Sequence, residues 1–288
     1  MNRYDIMPAA EPAPSIRVAR PATIRTADGL DLHYEDWGSG PPVVLVHSWA
    51  LHSQMWRQQI PALNDAGFRV VAFDRRGHGA SGNNGHGFDM DTLADDLAAV
   101  MDQLDLAGAI LVGHSMAGGE IVRYLSRHGS GRVAKVVLLA PTTPYLIKTA
   151  DNPLGLDATA FEQSRSVWKQ DFTRWVADNH AAFFTPETPT VTAQWMISML
   201  LECSLPVALA TSAAFTEVDF RAEVAAIDVP TLVVHGTADA SAPLEVTGRP
   251  TAALIPGAEL TILPGAPHGL FLTHDREVNQ AIVEFARA

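Results

Sequence analysis

The sequence has 288 residues, enough for one large α/β domain or for a core with a sizeable insertion. Hydrophobic residues make up 47% of it, so a substantial core can be buried, whereas the net charge of -12 argues against nucleic acid or an anionic membrane as a partner. Cys203 is the only cysteine, which excludes an internal disulfide and a cysteine-based zinc site.

The N-terminal part does not have the pattern of a secretory signal peptide. Residues 1–16 lack the apolar stretch of a secretory signal, and no apolar run reaches the roughly 18 residues that a membrane helix needs. We therefore expect a cytoplasmic protein without membrane insertion. Residues 1–21 contain four prolines, which interrupt regular structure, and are predicted to form a leader or arm without chemistry of its own.

Apolar runs and helical patterns alternate over the first half of the chain. The predicted elements are, in order, a hairpin of residues 22–26 and 30–37, a strand at 43–46, a helix at 53–66, a strand at 70–73, a helix at 92–104, a strand at 109–112, a helix at 120–127 and a strand at 136–139. Thr92 and Asp95 have the spacing of a capping box at the second helix. Continuous apolar strands that alternate with helices imply βαβ units and a mainly parallel sheet.

The strand signal disappears in residues 141–226. Two helical regions, 158–184 and 191–215, are separated there by a proline-rich break. An apolar stripe at helical spacing is typical of core packing, and a helical insertion after a sheet strand is also typical of a lid over an active site. We interpret the segment as a cap with an apolar inner face, whose predicted pocket residues are Trp168, Phe172, Trp195 and Met196.

The sheet pattern returns after this segment. Strands are predicted at 231–234 and 259–263, and a final helix at 275–288. The predicted organisation is therefore a leader of residues 1–21, a core of residues 22–140 and 227–288, and a helical cap of residues 141–226.

One glycine pattern formally matches a dinucleotide-binding fingerprint. Gly77, Gly79 and Gly82 follow a predicted strand, but the next residues read as a loop, so no helix N-terminus is placed to receive a pyrophosphate. The sequence also contains no His-Glu-x-x-His motif or carboxylate cluster for a catalytic metal. We therefore expect neither a cofactor nor a metal.

Ser115 lies between a predicted strand and the helix that follows it. Gly113 and Ala117, two residues to either side, leave room for the strained backbone that lifts a serine hydroxyl clear of a sheet, and Gly118 lets the helix approach the strand closely. The positive end of that helix would lie beside an oxyanion formed at Ser115. The pattern favours a nucleophilic serine; the alternative is a glycine-rich turn with an incidental serine.

Five features in register resemble the α/β-hydrolase fold, from about residue 24 to the C terminus. They are His47 after the first buried strand, Asp-x-Arg-Gly-x-Gly-x-Ser at 74–81, the Ser115 turn, Gly236-x-x-Asp239 and Pro267-His268-Gly269. The order of serine, aspartate and histidine is the order that this fold uses. The resemblance implies a mainly parallel sheet with helices on both faces.

The resemblance also implies a role for each polar residue. Ser115 would be the nucleophile, His268 the base that takes its proton, and Asp239 the acid that orients His268. The alternatives are a solvated loop histidine, with His274 as a substitute base, and an aspartate that only shapes its own loop. His114 is expected to pack rather than to catalyse.

By the geometry of that family, the backbone amides of Met116 and Trp49 would stabilise the oxyanion, and His47 would belong to the substrate pocket. The sequence departs from the family at two small residues. Ser48 stands where glycine usually follows His47, and Ala117 replaces the second glycine of the turn. We expect an intact site with altered loop geometry.

Residues 113–124 and 132–135 are similar to the serine esterases grouped with cofactor-free haloperoxidases. This similarity implies hydrolysis of a carboxylic ester through an acyl-enzyme, or perhydrolysis, in which hydrogen peroxide replaces water. A serine nucleophile argues against epoxide hydrolases and haloalkane dehalogenases, which resemble this fold but attack through a carboxylate.

The predicted function is a serine hydrolase that cleaves an ester of a small to medium apolar substrate. The alternatives are a perhydrolase or haloperoxidase-like enzyme, a lactone or carbon-carbon bond hydrolase that uses the same residues, and a ligand-binding, receptor-like protein with little turnover. The expected partner is a small-molecule ester and not nucleic acid, and the oligomeric state is left open.

Overall fold

The computed structural model describes residues 20–288, so nearly all of the predicted leader lies outside the described residues. Within residues 20–288 the chain forms nine strands: β1 Ile24–Arg25, β2 Asp31–Leu32, β3 Tyr34–Trp37, β4 Pro42–Val46, β5 Arg69–Phe73, β6 Ala109–His114, β7 Val133–Leu139, β8 Thr231–Gly236 and β9 Glu259–Leu263. β1 and β2 form a small antiparallel pair, and the other seven form one sheet in the order β3-β5-β4-β6-β7-β8-β9. β3 is antiparallel to β5, whereas every other neighbouring pair in this sheet is parallel.

Helices cover both faces of this sheet. The described residues form ten α-helices: α1 Gln59–Asp65, α2 Met90–Gln103, α3 Ala117–His128, α4 Ala158–Asn179, α5 Thr190–Glu202, α6 Leu205–Thr216, α7 Arg221–Ala225, α8 Gly248–Leu254, α9 Leu270–Thr273 and α10 Asp275–Arg287. Val44 and Val46 of β4 pack in an apolar cluster with residues of α2 and α3, whereas Val43 and Leu45 pack in a second cluster with residues of α10. The predicted fold class, a mainly parallel sheet with helices on both faces, is confirmed.

The predicted hairpin is only partly right. β1 and β2 form it, but β3 pairs with β5 at the edge of the main sheet. The chain leaves the hairpin at His33, whose carbonyl oxygen accepts a hydrogen bond from the Asp74 amide at 2.9 Å. Residues 30–37 therefore form two short strands rather than one, because the edge of the large sheet offers the second half a longer partner.

α2 begins before its predicted first residue. Its N-cap is Asp89, whose carboxylate accepts hydrogen bonds from the backbone amide and the hydroxyl of Thr92, both at 2.9 Å. The predicted capping box at Thr92 is therefore wrong, since Asp89 satisfies the free amide at this helix end and Thr92 lies in the first turn.

The segment between β7 and β8 contains α4 to α7. The helix predicted at 158–184 is α4 followed by the 3-10 helix His180–Phe183. α4 is kinked at Asp171, which has extended rather than helical backbone angles. The Asp171 carboxylate accepts a hydrogen bond from the Arg174 amide at 2.8 Å and so acts as a cap for the second half of the helix.

The region predicted as one helical stretch at 191–215 is two helices, α5 and α6. The chain bends by 92° between them. Among the described residues, no single helix has both the length and the apolar composition to cross a membrane, and α5 and α6 meet that test only as a bent pair. The cytoplasmic location stays a prediction.

Candidate active site

Ser115 lies in the tight turn between β6 and α3. Its φ angle of 60° is in the left-handed region, which costs a residue other than glycine about 1–3 kcal/mol. The Ser115 amide donates to the carbonyl oxygen of Leu139 at 3.0 Å. Gly113 has tight surroundings, because a Cβ atom there would lie 2.6 Å from Cδ1 of Ile121 and 3.1 Å from Cβ of Ala117. Strain at a serine between a strand and a helix is the geometry that exposes a nucleophilic hydroxyl.

Two loops at the carboxyl edge of the sheet bring an acid and a histidine to Ser115. Asp239 follows β8, and His268 follows β9. Oδ2 of Asp239 lies 2.7 Å from Nδ1 of His268, and Nε2 of His268 lies 2.9 Å from Oγ of Ser115. All three side chains are buried. The structure thus brings together the predicted nucleophile, base and acid, whose catalytic roles stay predictions.

Asp239 is held as a carboxylate. Burial raises its pKa, but the charge of His268 and the hydrogen bonds from His235, His268 and the Ala242 amide outweigh burial and hold the pKa well below its ordinary value. Oδ1 accepts from the amides of Ser241 and Ala242 at 2.9 and 2.8 Å, so the carboxylate also shapes its loop. Because an ionised carboxylate only accepts, Nδ1 of His268 donates to it, and in the neutral ring the lone pair of Nε2 then faces the serine hydroxyl.

The other candidate histidines have different surroundings. His114 is fully buried, and its Nε2 donates to the backbone carbonyl oxygen of His268 at 2.8 Å. Nδ1 of His274 lies 3.0 Å from the hydroxyl of the neighbouring Thr273. Of the histidines in the described part of the chain, His268 is the one hydrogen bonded to Ser115.

The predicted oxyanion donors are the backbone amides of Met116 and Trp49. Neither amide has a hydrogen-bond acceptor within the described residues. Met116 is the N-cap of α3, and Trp49 follows β4 in a loop that lines the same cavity as Ser115. Nε1 of Trp49 donates to the carbonyl oxygen of Ala208 at 2.9 Å, and its ring packs against Trp168 with centroids 4.8 Å apart. The side chain therefore ties this loop to α6 and α4.

A cavity of about 470 Å³ opens on Ser115 and His268. Residues of α4, α5 and α6 form much of its wall, together with Trp49. No Lys, Arg, Asp or Glu is among the described residues that line it. The cavity therefore suits a neutral and largely apolar molecule.

The predicted pocket residues of the helical segment divide into two groups. Trp168 and Met196 contribute to the cavity wall, whereas Phe172 and Trp195 do not. Phe172 lies parallel to Trp175, with ring centroids 6.0 Å apart, and Trp195 packs against the apolar cluster that includes α10. The prediction is corrected at these two positions, because Phe172 packs against the apolar cluster that includes Phe88 and Val207, and Trp195 packs against the one that includes α10.

His47 is fully buried beside Arg75 rather than on the cavity wall, which corrects its predicted place in the pocket. Nε2 of His47 lies 2.9 Å from the backbone nitrogen of Arg75, and Nδ1 lies 2.8 Å from the carbonyl oxygen of Ser48. Burial, with the nearby charge of Arg75, lowers the pKa of His47 well below its ordinary value. The ring is therefore neutral, and these two hydrogen bonds join it to backbone groups of Arg75 and Ser48.

No role was predicted from the sequence for His235, Arg75 or Glu120, which form polar contacts near the site. Nε2 of His235 lies 3.2 Å from Oδ2 of Asp239. Arg75 and Glu120 form a buried ion pair, with 2.6 Å between Nη2 and Oε2. The sequence positions of two of these residues could have indicated that they lie near the site. His235 directly precedes the Gly-x-x-Asp motif, and Arg75 lies inside the motif at 74–81.

The buried histidines His47, His78 and His114 are expected to make the free energy of unfolding depend on pH. Burial lowers the pKa of each below its ordinary value of 6.5, to about 3 for His78. In the unfolded chain they take up protons as the pH falls through 6.5, whereas the folded chain keeps them neutral. We expect the free energy of unfolding to fall by about 1 kcal/mol per pH unit for each histidine between about pH 6.5 and 5.

Urea unfolding at several pH values in this range measures the slope. His78→Asn should reduce it by about 1 kcal/mol per pH unit. The same substitution at His86, which is exposed, checks that the change in slope comes from the buried ring. A free energy of unfolding that stays constant or rises as the pH falls would contradict the expectation.

The chain matches the family described as alpha/beta hydrolase fold over residues 41–275, and it belongs to that family. It is 39% identical over 269 residues to a non-heme chloroperoxidase of Kitasatospora aureofaciens. The aligned region covers 90% of this chain and 97% of the relative. It is 35% identical over 275 residues to a bifunctional esterase/perhydrolase of Acinetobacter calcoaceticus. The aligned region covers 92% of this chain and 99% of that relative. The solved structure of an esterase from Exiguobacterium antarcticum matches with a TM-score of 0.89 and 29% identity, over 92% of this chain and 99% of that one.

These relatives confirm the resemblance to serine esterases grouped with haloperoxidases. The protein is an enzyme of the alpha/beta hydrolase family with esterase, perhydrolase and haloperoxidase relatives. Which of these reactions it catalyses depends on the chemistry of its own site.

Proposed function

We propose that the protein is a serine hydrolase that cleaves a carboxylic ester through an acyl-enzyme. The observation that carries the proposal is the hydrogen-bonded chain from Asp239 through His268 to Ser115, which ends in an uncharged cavity. The relatives named as esterases support the same class of reaction.

In the first half-reaction, Nε2 of His268 takes the hydroxyl proton of Ser115 as Oγ attacks the carbonyl carbon of the ester. Negative charge develops on the carbonyl oxygen, to which the amides of Met116 and Trp49 would donate. Asp239 stabilises the imidazolium. The tetrahedral intermediate then expels the alcohol, which leaves with the proton from His268, and the acyl group stays on Ser115.

In the second half-reaction, water attacks the acyl carbon while His268 takes one of its protons. The bond to Oγ of Ser115 breaks, the proton returns to the serine, and the carboxylic acid leaves. A charged substrate would lose its hydration in this cavity without gaining a counter-ion, so a small to medium neutral ester is favoured. Residues 141–226 would act as the cap, since α4 to α6 supply much of the wall.

A fluorophosphonate probe, followed by peptide mass spectrometry, tests the nucleophile. We expect labelling at Ser115 together with hydrolysis of short-chain p-nitrophenyl esters, and loss of both in Ser115→Ala. Ser166→Ala, at an exposed position on α4, should keep both. Labelling at another residue alone would contradict the proposed nucleophile, and labelling without ester turnover would favour a ligand-binding protein.

Perhydrolysis is a second candidate, favoured by the bifunctional esterase/perhydrolase among the relatives. Hydrogen peroxide would replace water in the second half-reaction: one of its oxygens bonds to the acyl carbon, the bond to Oγ of Ser115 breaks, and His268 passes the peroxide proton to the serine. The product is a peracid. Addition of peroxide to the ester assay, with the peracid detected by its oxidation of bromide, separates the two reactions.

A further inference from the structure

A buried guanidinium binds the loop that carries the Trp49 amide. Nη2 of Arg75 donates to the carbonyl oxygen of His47 at 2.8 Å, and Nη1 donates to that of Ser48 at 3.4 Å. Nε of Arg75 donates to Oε2 of Glu120 at 2.8 Å, and both side chains of this ion pair are fully buried. The reaction proposed above assigns no step to this pair.

The side chain of His47 supplies a further hydrogen-bond donor to the carbonyl oxygen of Ser48. The backbone amide of Arg75 donates to Nε2 of His47 at 2.9 Å, so Nε2 is the acceptor and Nδ1 carries the proton. Nδ1 lies 2.8 Å from the Ser48 carbonyl oxygen and therefore donates to it. The Ser48 carbonyl thus accepts from the side chains of His47 and Arg75 and, at 3.4 Å, from the backbone amide of Leu51.

When hydrogen bonds fix the direction of a carbonyl group, they also fix the direction of the N–H group of the next residue. The peptide between Ser48 and Trp49 is trans, and in a trans peptide the N–H of one residue points opposite to the C=O of the residue before it. The N–H of Trp49 therefore points away from Arg75, in a loop that lines the same cavity as Ser115. A rotation of this peptide would turn its N–H toward Arg75 and its carbonyl oxygen to the opposite side, so that an oxyanion bound by that N–H would meet the carbonyl oxygen instead.

We propose that Arg75, paired with Glu120, is a positioning residue that keeps the peptide between Ser48 and Trp49 in the orientation that oxyanion stabilisation requires. The inference rests on the proposed function, because it assigns the Trp49 amide to the oxyanion. Glu120 compensates the buried charge of Arg75. Its place on α3 also links the loop to the helix that follows Ser115.

The neighbouring Arg76 offers a matched control. It is also buried and also paired, with Nε 2.6 Å from Oδ2 of Asp96. Its other hydrogen-bond partners among the described residues are Asp28 and the carbonyl oxygen of His86. None of these partners belongs to the loop at 47–49, so loss of this pair removes a buried ion pair without releasing the loop.

Arg75→Met/Glu120→Leu removes the proposed anchor as a pair, which buried ion pairs often tolerate without loss of stability. For a p-nitrophenyl ester, we expect kcat to fall about ten- to a hundredfold, less than the full loss of an oxyanion donor, with KM within about twofold. The affinity for a trifluoromethyl ketone, which forms a tetrahedral oxyanion adduct with a nucleophilic serine, should fall by a similar factor. Arg76→Met/Asp96→Leu should leave all three values within about twofold of the wild type.

If the double variant does not fold, the single variant Arg75→Lys tests the proposed role of Arg75. It keeps a positive charge beside Glu120, but an ammonium lacks the planar fork that binds a carboxylate and two carbonyl oxygens at once, so the same loss in kcat and adduct affinity is expected. An unchanged kcat in the folded Arg75 variants, an equal loss in the Arg76 control, or failure of both Arg75 variants to fold would overturn the proposal. If the wild type neither hydrolyses esters nor forms the ketone adduct, the proposed function fails instead.

Discussion

Ser115→Ala is expected to lower kcat for ester hydrolysis about a millionfold, and His268→Ala by a similar factor. Each substitution breaks the same hydrogen-bonded chain, because Oγ of Ser115 and Nε2 of His268 lie 2.9 Å apart. Since the two side chains act as a unit, the double variant should be no slower than either single variant. Steady-state kinetics on one p-nitrophenyl ester measure all three.

Exposed residues of the same types provide the controls. Ser166→Ala and His86→Ala should retain the kcat of the wild type. If the losses of the two single variants multiplied in the double variant, Ser115 and His268 would act independently and the proposed proton transfer between them would be wrong. A kcat near that of the wild type in either single variant would contradict the role assigned to that residue.

Asp239→Asn is expected to lower kcat about ten-thousandfold while the fold is kept. An amide nitrogen at the position of Oδ2 would donate toward Nδ1 of His268, which would then become the acceptor. The ring proton would move to Nε2, and Nε2 could no longer accept the proton of Ser115. KM should change little, because Asp239 does not line the cavity.

Asp228→Asn is the control for this substitution. Asp228 is exposed and precedes β8, whereas Asp239 follows the same strand. The control variant should match the wild type in kcat, and urea unfolding of both variants checks that the fold is intact. A near-normal rate in Asp239→Asn would mean that another acid orients His268.

Much of the fold follows from local pattern. Each of the strands β4 to β8 contains a continuous apolar run because helices cover both faces of the sheet, and that pattern is visible in the sequence. Ser115 and Asp239 each follow such a strand, and His268 follows β9. Since parallel strands end at one edge of a sheet, residues that follow them lie near one another, and the family resemblance singles out these three among them.

The sequence by itself therefore determined the fold class and the order of the main elements, because each depends on short patterns, and the family resemblance of its motifs pointed to Asp239 and His268 as the partners of Ser115. Only the tertiary structure decided that Phe172, Trp195 and His47 do not line the cavity. It also revealed the anchor at Arg75 and Glu120. Whether a buried side chain faces a cavity, a helix or a backbone carbonyl depends on contacts between segments far apart in the chain, and no local pattern encodes such contacts.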